Sequence, residues 1–154
     1  MLPLGNCMPR DNSNIGVGTL EAGAPFLVTA ERIASFCTTV NENNPLFVDP
    51  VAAKAGRYGG LVAPPAFVAS FRYADDVFDK IPAIGNGGLL GGIDIELDAP
   101  IRPGDSIRVA SEIKERYEKT GRSGTIMFVV VRSTLTNQRG ELVARVDHRM
   151  TRRL

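Results

Sequence analysis

The chain carries one histidine, His148, so a single imidazole is available for proton transfer or metal ligation. Its two cysteines, Cys7 and Cys37, both lie far from that histidine in sequence, which argues against a nucleophilic Cys–His pair. Cys37 recurs at helical spacing among apolar residues, the setting of a buried free thiol. Asp147 and His148 are neighbours in a strand-like run, which points them to opposite faces and keeps them from forming a dyad. His148 reads as a surface group on an edge strand. Asp75, Asp76 and Asp79 read as a solvated helix end, because a cation site would need further oxygen ligands at fixed spacing. The glycines between Gly85 and Gly92 lack the Gly-Lys-Ser/Thr ending of a phosphate loop and lead into a strand, where amides do not converge on a phosphate. Arg149, Arg152 and Arg153 form a small basic tail, useful against a phosphate or an acidic partner but too short for nucleic acid. What remains is one dense block, Glu42-Asn43-Asn44-Pro45-Leu46-Phe47-Val48-Asp49-Pro50, followed by Gly59-Gly60-Leu61-Val62-Ala63-Pro64-Pro65-Ala66-Phe67.

The elements that must position this block follow from periodicity. Phe26-Leu27-Val28 predicts a short strand, and Thr29 is placed to cap a helix in which Ile33, Phe36, Cys37 and Val40 share one face. Asp49, Pro50 and Gly56 frame a second short helix as cap, first residue and stop. A third helix is expected over residues 65–79, apolar enough around Phe67, Phe71 and Phe78 to want burial on most sides. Beyond Pro82 the pattern turns to strands. Ile93, Ile95 and Leu97 alternate with Asp94, Glu96 and Asp98, predicting a half-buried strand with a solvated acidic face. Ile107–Tyr117 predicts a second strand, Thr125–Leu135 a central one, and Glu141–Met150 the last strand after a hairpin at Asn137–Gly140. Helices first and long strands after them suggest an α+β hot-dog domain, a long central helix wrapped by a curved antiparallel sheet. Residues 1–23 are expected as an extended N-terminal segment and 24–154 as the domain.

At 154 residues, 44% hydrophobic and 23% charged, the chain suits one ordinary globular domain. A net charge of +1 excludes a strongly basic nucleic-acid binder and gives no support for a membrane-surface protein. No apolar run reaches the roughly 18 residues that span a bilayer. The N-terminal residues hold no apolar stretch of signal-peptide length, so the cytoplasm, with reduced thiols, is the default expectation.

The block from Phe36 to Pro50 and the entry Gly59–Phe67 resemble the MaoC-like dehydratases and (R)-specific enoyl-thioester hydratases. Ala99-Pro100-Ile101-Arg102-Pro103-Gly104-Asp105 and Thr136–Ala144 are similar to the same family, in particular to the branch of N-terminal halves of double hot-dog dehydratases and HadA-type subunits. The resemblance covers about residues 24–153 and implies reversible addition of water to a trans-2-enoyl thioester. In that chemistry an Asp and a His position one water, and backbone N–H groups at the start of the central helix hold the thioester oxygen. Carried over by position, the Asp is Glu42, the His is Phe47, and the oxyanion-hole glycine aligns with Pro65, which has no N–H. Asn44, Phe47, Ala63, Pro65 and Phe67 are the substrate-binding positions that the resemblance implies, and Glu42 the remaining catalytic one.

Three functions are compatible with these residues. The first is a substrate-shaping, non-catalytic subunit paired with a chain that supplies the Asp and His. The second is an independently active homodimeric enoyl-CoA hydratase using Glu42, and the third an acyl-CoA binder or a hot-dog thioesterase using another carboxylate. Each implies a dimer, homomeric or heteromeric, because a lone hot-dog sheet leaves an edge and half of a substrate tunnel open. The thioester, of CoA or of acyl carrier protein, is then substrate, and no metal or redox cofactor is implied.

Overall fold

The computed structural model describes residues 19–20, 24–71, 88–122 and 124–153. Short elements come first: β1 (Thr19–Leu20), β2 (Phe26–Leu27), α1 (Ala30–Val40), α2 (Pro45–Val48), α3 (Pro50–Ala55) and a 3₁₀ helix (Pro65–Ser70). Four long strands follow, β3 (Leu89–Leu97), β4 (Ser106–Gly121), β5 (Gly124–Thr136) and β6 (Leu142–Arg153).

Local chemistry sets the helix ends. The Thr29 hydroxyl accepts from the Arg32 N–H at 3.2 Å, and Ile33 and Cys37 are the buried residues of α1. Asn41 ends that helix in the left-handed region with φ 56°, a conformation that asparagine tolerates. Helix α2 was not expected from periodicity; Asn44 Oδ1 accepts from Leu46 N–H at 3.1 Å and Pro45 supplies a preset first turn. Asp49 caps α3 by accepting from Val51 N–H at 2.8 Å and Ala52 N–H at 3.2 Å, with Gly56 at its end. Of the helix expected over residues 65–79, the described part is the 3₁₀ turn. Residues 72–79, including Asp75, Asp76 and Asp79, lie outside the described residues, as do Cys7 and Gly85–Gly87.

Strands β4, β5 and β6 form an antiparallel meander, β3 pairs with the far side of β6, and β1 and β2 both pair with β4. The glycine segment ends in an irregularity of β3 between Leu90 and Gly92. A Cβ on Gly91 would meet Thr151 Cγ2 at 2.8 Å, so the missing side chain is what lets β3 approach β6 there. Leu135, Ala144 and Val146 from the sheet pack with Val143 against Val28, Ile33, Cys37, Phe67, Val68 and Phe71, giving one core between sheet and helices. Burying each such side chain contributes about 1.5–3 kcal/mol. This is an α+β hot-dog-like fold with a curved antiparallel sheet.

Two expectations are corrected. His148 is not an edge-strand surface group: β6 lies between β5 and β3, His148 stands opposite Val131 and Ile93, and it is 8% exposed. The strand β3, expected to be half-buried, keeps Ile93, Ile95 and Leu97 exposed at 39%, 38% and 47%, because it is the last of the described strands in the sheet.

Candidate functional site

Three backbone links shape a cleft beside the 3₁₀ helix. Val62 N–H reaches Leu46 O at 3.5 Å, Ala63 N–H donates to Ile101 O at 2.8 Å, and Asp98 N–H donates to Val143 O at 2.9 Å. The turn that follows Ile101 is held by Asp105, whose buried carboxylate accepts from Arg102 N–H at 2.8 Å and from Gln138 Nε2 at 3.1 Å. Gly104 takes φ 92° in that turn, a conformation that penalises any Cβ.

Between these walls lies a cleft of about 600 Å³. One wall is Leu46, Phe47, Val62, Ala63, Pro64, Pro65 and Val68, the other is Leu97–Ile101, and Arg57 and Tyr58 complete the lining. The size suits a drug-sized ligand, and the mostly apolar lining suits an acyl chain.

The site residues expected from sequence separate into three groups. Phe47, Ala63 and Pro65 meet in the cleft. Glu42 and Asn44 are not among its lining residues and serve the loop: Glu42 Oε1 accepts from Asn44 N–H at 2.9 Å, and Asn44 caps α2. Phe67 is buried in the core, edge-on to Phe36 and Phe71 at 5.4 and 5.5 Å between ring centroids, and is likewise outside the cleft lining.

The wall from Ala63 to Pro65 presents no free backbone donor to the cleft. The Ala63 N–H is taken by Ile101 O, and Pro64 and Pro65 have none. Asp98 is the one carboxylate among the cleft's lining residues, and it pairs with Arg145 at 3.2 Å. Burial raises the Cys37 thiol above its ordinary pKa and the Glu42 charge adds to this, which leaves a poor nucleophile. His148 is also outside the cleft lining, and burial lowers its pKa, favouring neutral imidazole. Among the described residues, no group of three or more His, Cys, Asp or Glu side chains is placed to hold a metal ion. No helix among them is long and apolar enough to cross a membrane.

Arg57, Tyr58 and Asp98 were not singled out from sequence as site residues. Their signal was position: they flank the Gly59–Pro65 and Ala99–Asp105 motifs, whose backbones build the two walls.

Residues 13–146 match the family described as FAS1-like, dehydratase domain region. The chain belongs to this family. Its place there puts it in the MaoC-like dehydratase/hydratase superfamily, in agreement with the resemblance carried by the Asn44-Pro45-Leu46 block. A family relative, a UPF0336 protein of Saccharopolyspora erythraea, is 30% identical over 140 residues, covering 88% of this chain and 86% of the relative. The C-terminally truncated HadBC (3R-hydroxyacyl-ACP dehydratase) complex of Mycobacterium tuberculosis contains a chain with TM-score 0.75 and 26% identity, over 91% of this chain and 98% of that one. The ChsH1–ChsH2 complex of the same organism shares the fold, with TM-score 0.74 at 21% identity over 87% of this chain and 83% of that one.

Proposed function

We propose that this family member is the acyl-thioester-binding, substrate-shaping subunit of an enoyl-thioester hydratase/3-hydroxyacyl dehydratase, with the proton chemistry carried by a partner chain. The observation that carries the reading is the cleft wall. At the positions where the family pattern puts an imidazole and an oxyanion donor, this wall offers a phenyl ring and two prolines. Losing a general acid/base typically costs 10²–10⁴-fold in rate, and losing an oxyanion donor about 10²–10³-fold. Glu42, the carboxylate left in the pattern, is engaged by the Asn44 N–H. An apolar wall still does useful work, because it holds an acyl chain out of water.

The partner fits along β3. That strand pairs only with β6 among the described strands, and Leu89, Leu90, Ile93, Ile95 and Leu97 are exposed on it. A second hot-dog chain added there would cover this apolar edge and lie beside the cleft wall that begins at Leu97. The solved HadBC and ChsH1–ChsH2 assemblies, both described as complexes, support a heteromeric arrangement.

Co-expression with a MaoC-like chain that carries the Asp/His pair, native mass measurement and a hydration assay test the proposal. The expected result is a 1:1 complex that hydrates crotonyl-CoA while this chain alone does not. Activity of the isolated chain that falls on Glu42→Gln overturns it in favour of a self-sufficient hydratase. A second reading, thioester hydrolysis, is favoured by one observation: Asp98 is a carboxylate that lines the cleft. It would take a proton from water as the water oxygen attacks the thioester carbonyl, and the departing thiolate would take that proton. Release of free CoA from an acyl-CoA by wild type but not by Asp98→Asn selects it.

A further inference from the structure

The cleft's polar groups are unequal in how their charge is met. Asp98 is paired with Arg145, which also approaches Glu96 at 3.6 Å, so the one acid of the lining is already neutralised. Arg57 lines the same cleft, is exposed, and has no carboxylate partner among the described residues. Its guanidinium lies 4.4 Å from the Tyr58 ring centroid and donates to the Tyr58 hydroxyl. Its place over the Tyr58 ring orients the planar fork while leaving N–H groups available.

A second guanidinium approaches the same turn. Arg102 follows the cleft residues Pro100 and Ile101, and its Nη1 lies 3.9 Å from where a Cβ on Gly60 would be, against the turn that carries Arg57 and Tyr58. No carboxylate among the described residues pairs with the Arg102 side chain; the carboxylate of Asp105 is held by its backbone N–H instead. Two forked cations with no carboxylate partner among the described residues therefore approach one turn at an apolar cleft.

We propose that Arg57 and Arg102 form a seat for the phosphate that terminates the pantetheine arm of the thioester. The inference rests on the acyl-thioester reading above. A 600 Å³ cleft has room for a short acyl group together with an uncharged pantetheine arm. The first charged group of such a ligand is then the phosphate, and guanidinium forks match its oxygens in charge and geometry. CoA and a carrier-protein prosthetic group share that phosphate, so the seat serves either source.

Calorimetric titration of the full chain, alone and with its partner, with three probes tests this: crotonyl-CoA, crotonyl-phosphopantetheine and crotonyl-pantetheine. Both phosphorylated thioesters are expected to bind about tenfold more tightly than the phosphate-free one, an advantage that shrinks as salt is raised. Arg57→Gln or Arg102→Gln should each remove about three- to fivefold of that advantage, and the double variant all of it, with an unchanged thermal melt as the control for folding. An equal loss on all three probes, or no loss on any, overturns the seat while leaving the acyl-thioester reading intact. An advantage confined to crotonyl-CoA also overturns it, since the adenosine end would then be the recognised group. Failure of wild type to bind any of the three overturns both.

Discussion

The two edges of the sheet are finished in opposite ways. At β4 the chain seals its own edge: Phe26 stands opposite Ile107, which is fully buried, and Val28 exchanges backbone hydrogen bonds with Gly104 and Asp105 at 2.8 Å each. At β3, Ile95 stands opposite Val146 on the inner side and keeps 38% of its surface exposed. An apolar edge left bare invites pairing with another strand. The contrast teaches that the fold's stability and its proposed assembly reside at different edges. The cleft belongs to the open side, since its second wall starts where β3 ends.

The strongest way to break this distinction is at the sealed edge. Ile107→Ala should cost about 2–5 kcal/mol in urea unfolding, through lost burial and the cavity left behind. A loss below about 1 kcal/mol would show that the edge can collapse onto itself without Ile107. At the open edge, Ile95→Lys should leave the chain folded but weaken assembly about 100-fold in sedimentation, close to 2.7 kcal/mol. Unchanged assembly would move the contact away from β3.

Between the edges, β6 carries two buried ionisable residues on opposite faces. Burial by itself would raise the Asp147 pKa, but hydrogen bonds from Arg132 at 2.7 and 2.9 Å and Lys114 at 2.8 Å outweigh it and lower it. The native state thus releases this proton more readily than the unfolded chain. The stability it contributes is complete above the ordinary value of 3.8 and is lost as pH falls through the lower native value. Asp147→Asn should remove this acid limb and lower stability at neutral pH by about 1–3 kcal/mol. His148 has its pKa lowered by burial, so the unfolded chain takes the proton first and stability declines as pH falls below 6.5. Thermal melts of His148→Gln should lack that decline; a decline that persists would assign it elsewhere. The smallest effect is local: Thr29→Ala removes a helix cap just beyond β2 and should lower the unfolding free energy by about 1 kcal/mol.

Much of the fold was legible because its signals are local. Thr29, Asp49 and Gly56 mark helix ends by hydrogen bonds to groups two or three residues away, and Pro50 marks one by its preset φ. Strand β5 announced its central place by an apolar run that only burial on both faces accommodates. Helix α2 was missed because four residues are too few to show a period, although Asn44 and Pro45 carry its cap and first turn. His148 was misplaced for a different reason. Sequence order put it in the last strand, but β3 folds back outside β6 and converts that strand to an interior one.

The site divides along the same line. Spacing in the Glu42–Asp49 and Gly59–Phe67 segments was enough to recognise the family resemblance, which implies an imidazole where Phe47 stands and a glycine where Pro65 stands. Which of those residues face a ligand depends on contacts between segments distant in sequence. The Ala63 N–H meets Ile101, the Leu97–Ile101 segment becomes the opposite wall, and Arg102 comes to rest against Gly60. The sequence by itself determined the caps, the strand periods and the departures from the family pattern that the resemblance implies at Glu42, Phe47 and Pro65, since each rests on a residue's own chemistry and its near neighbours. The cleft and the exposed apolar face of β3 were decided only by tertiary packing, which joins groups that no local spacing can relate.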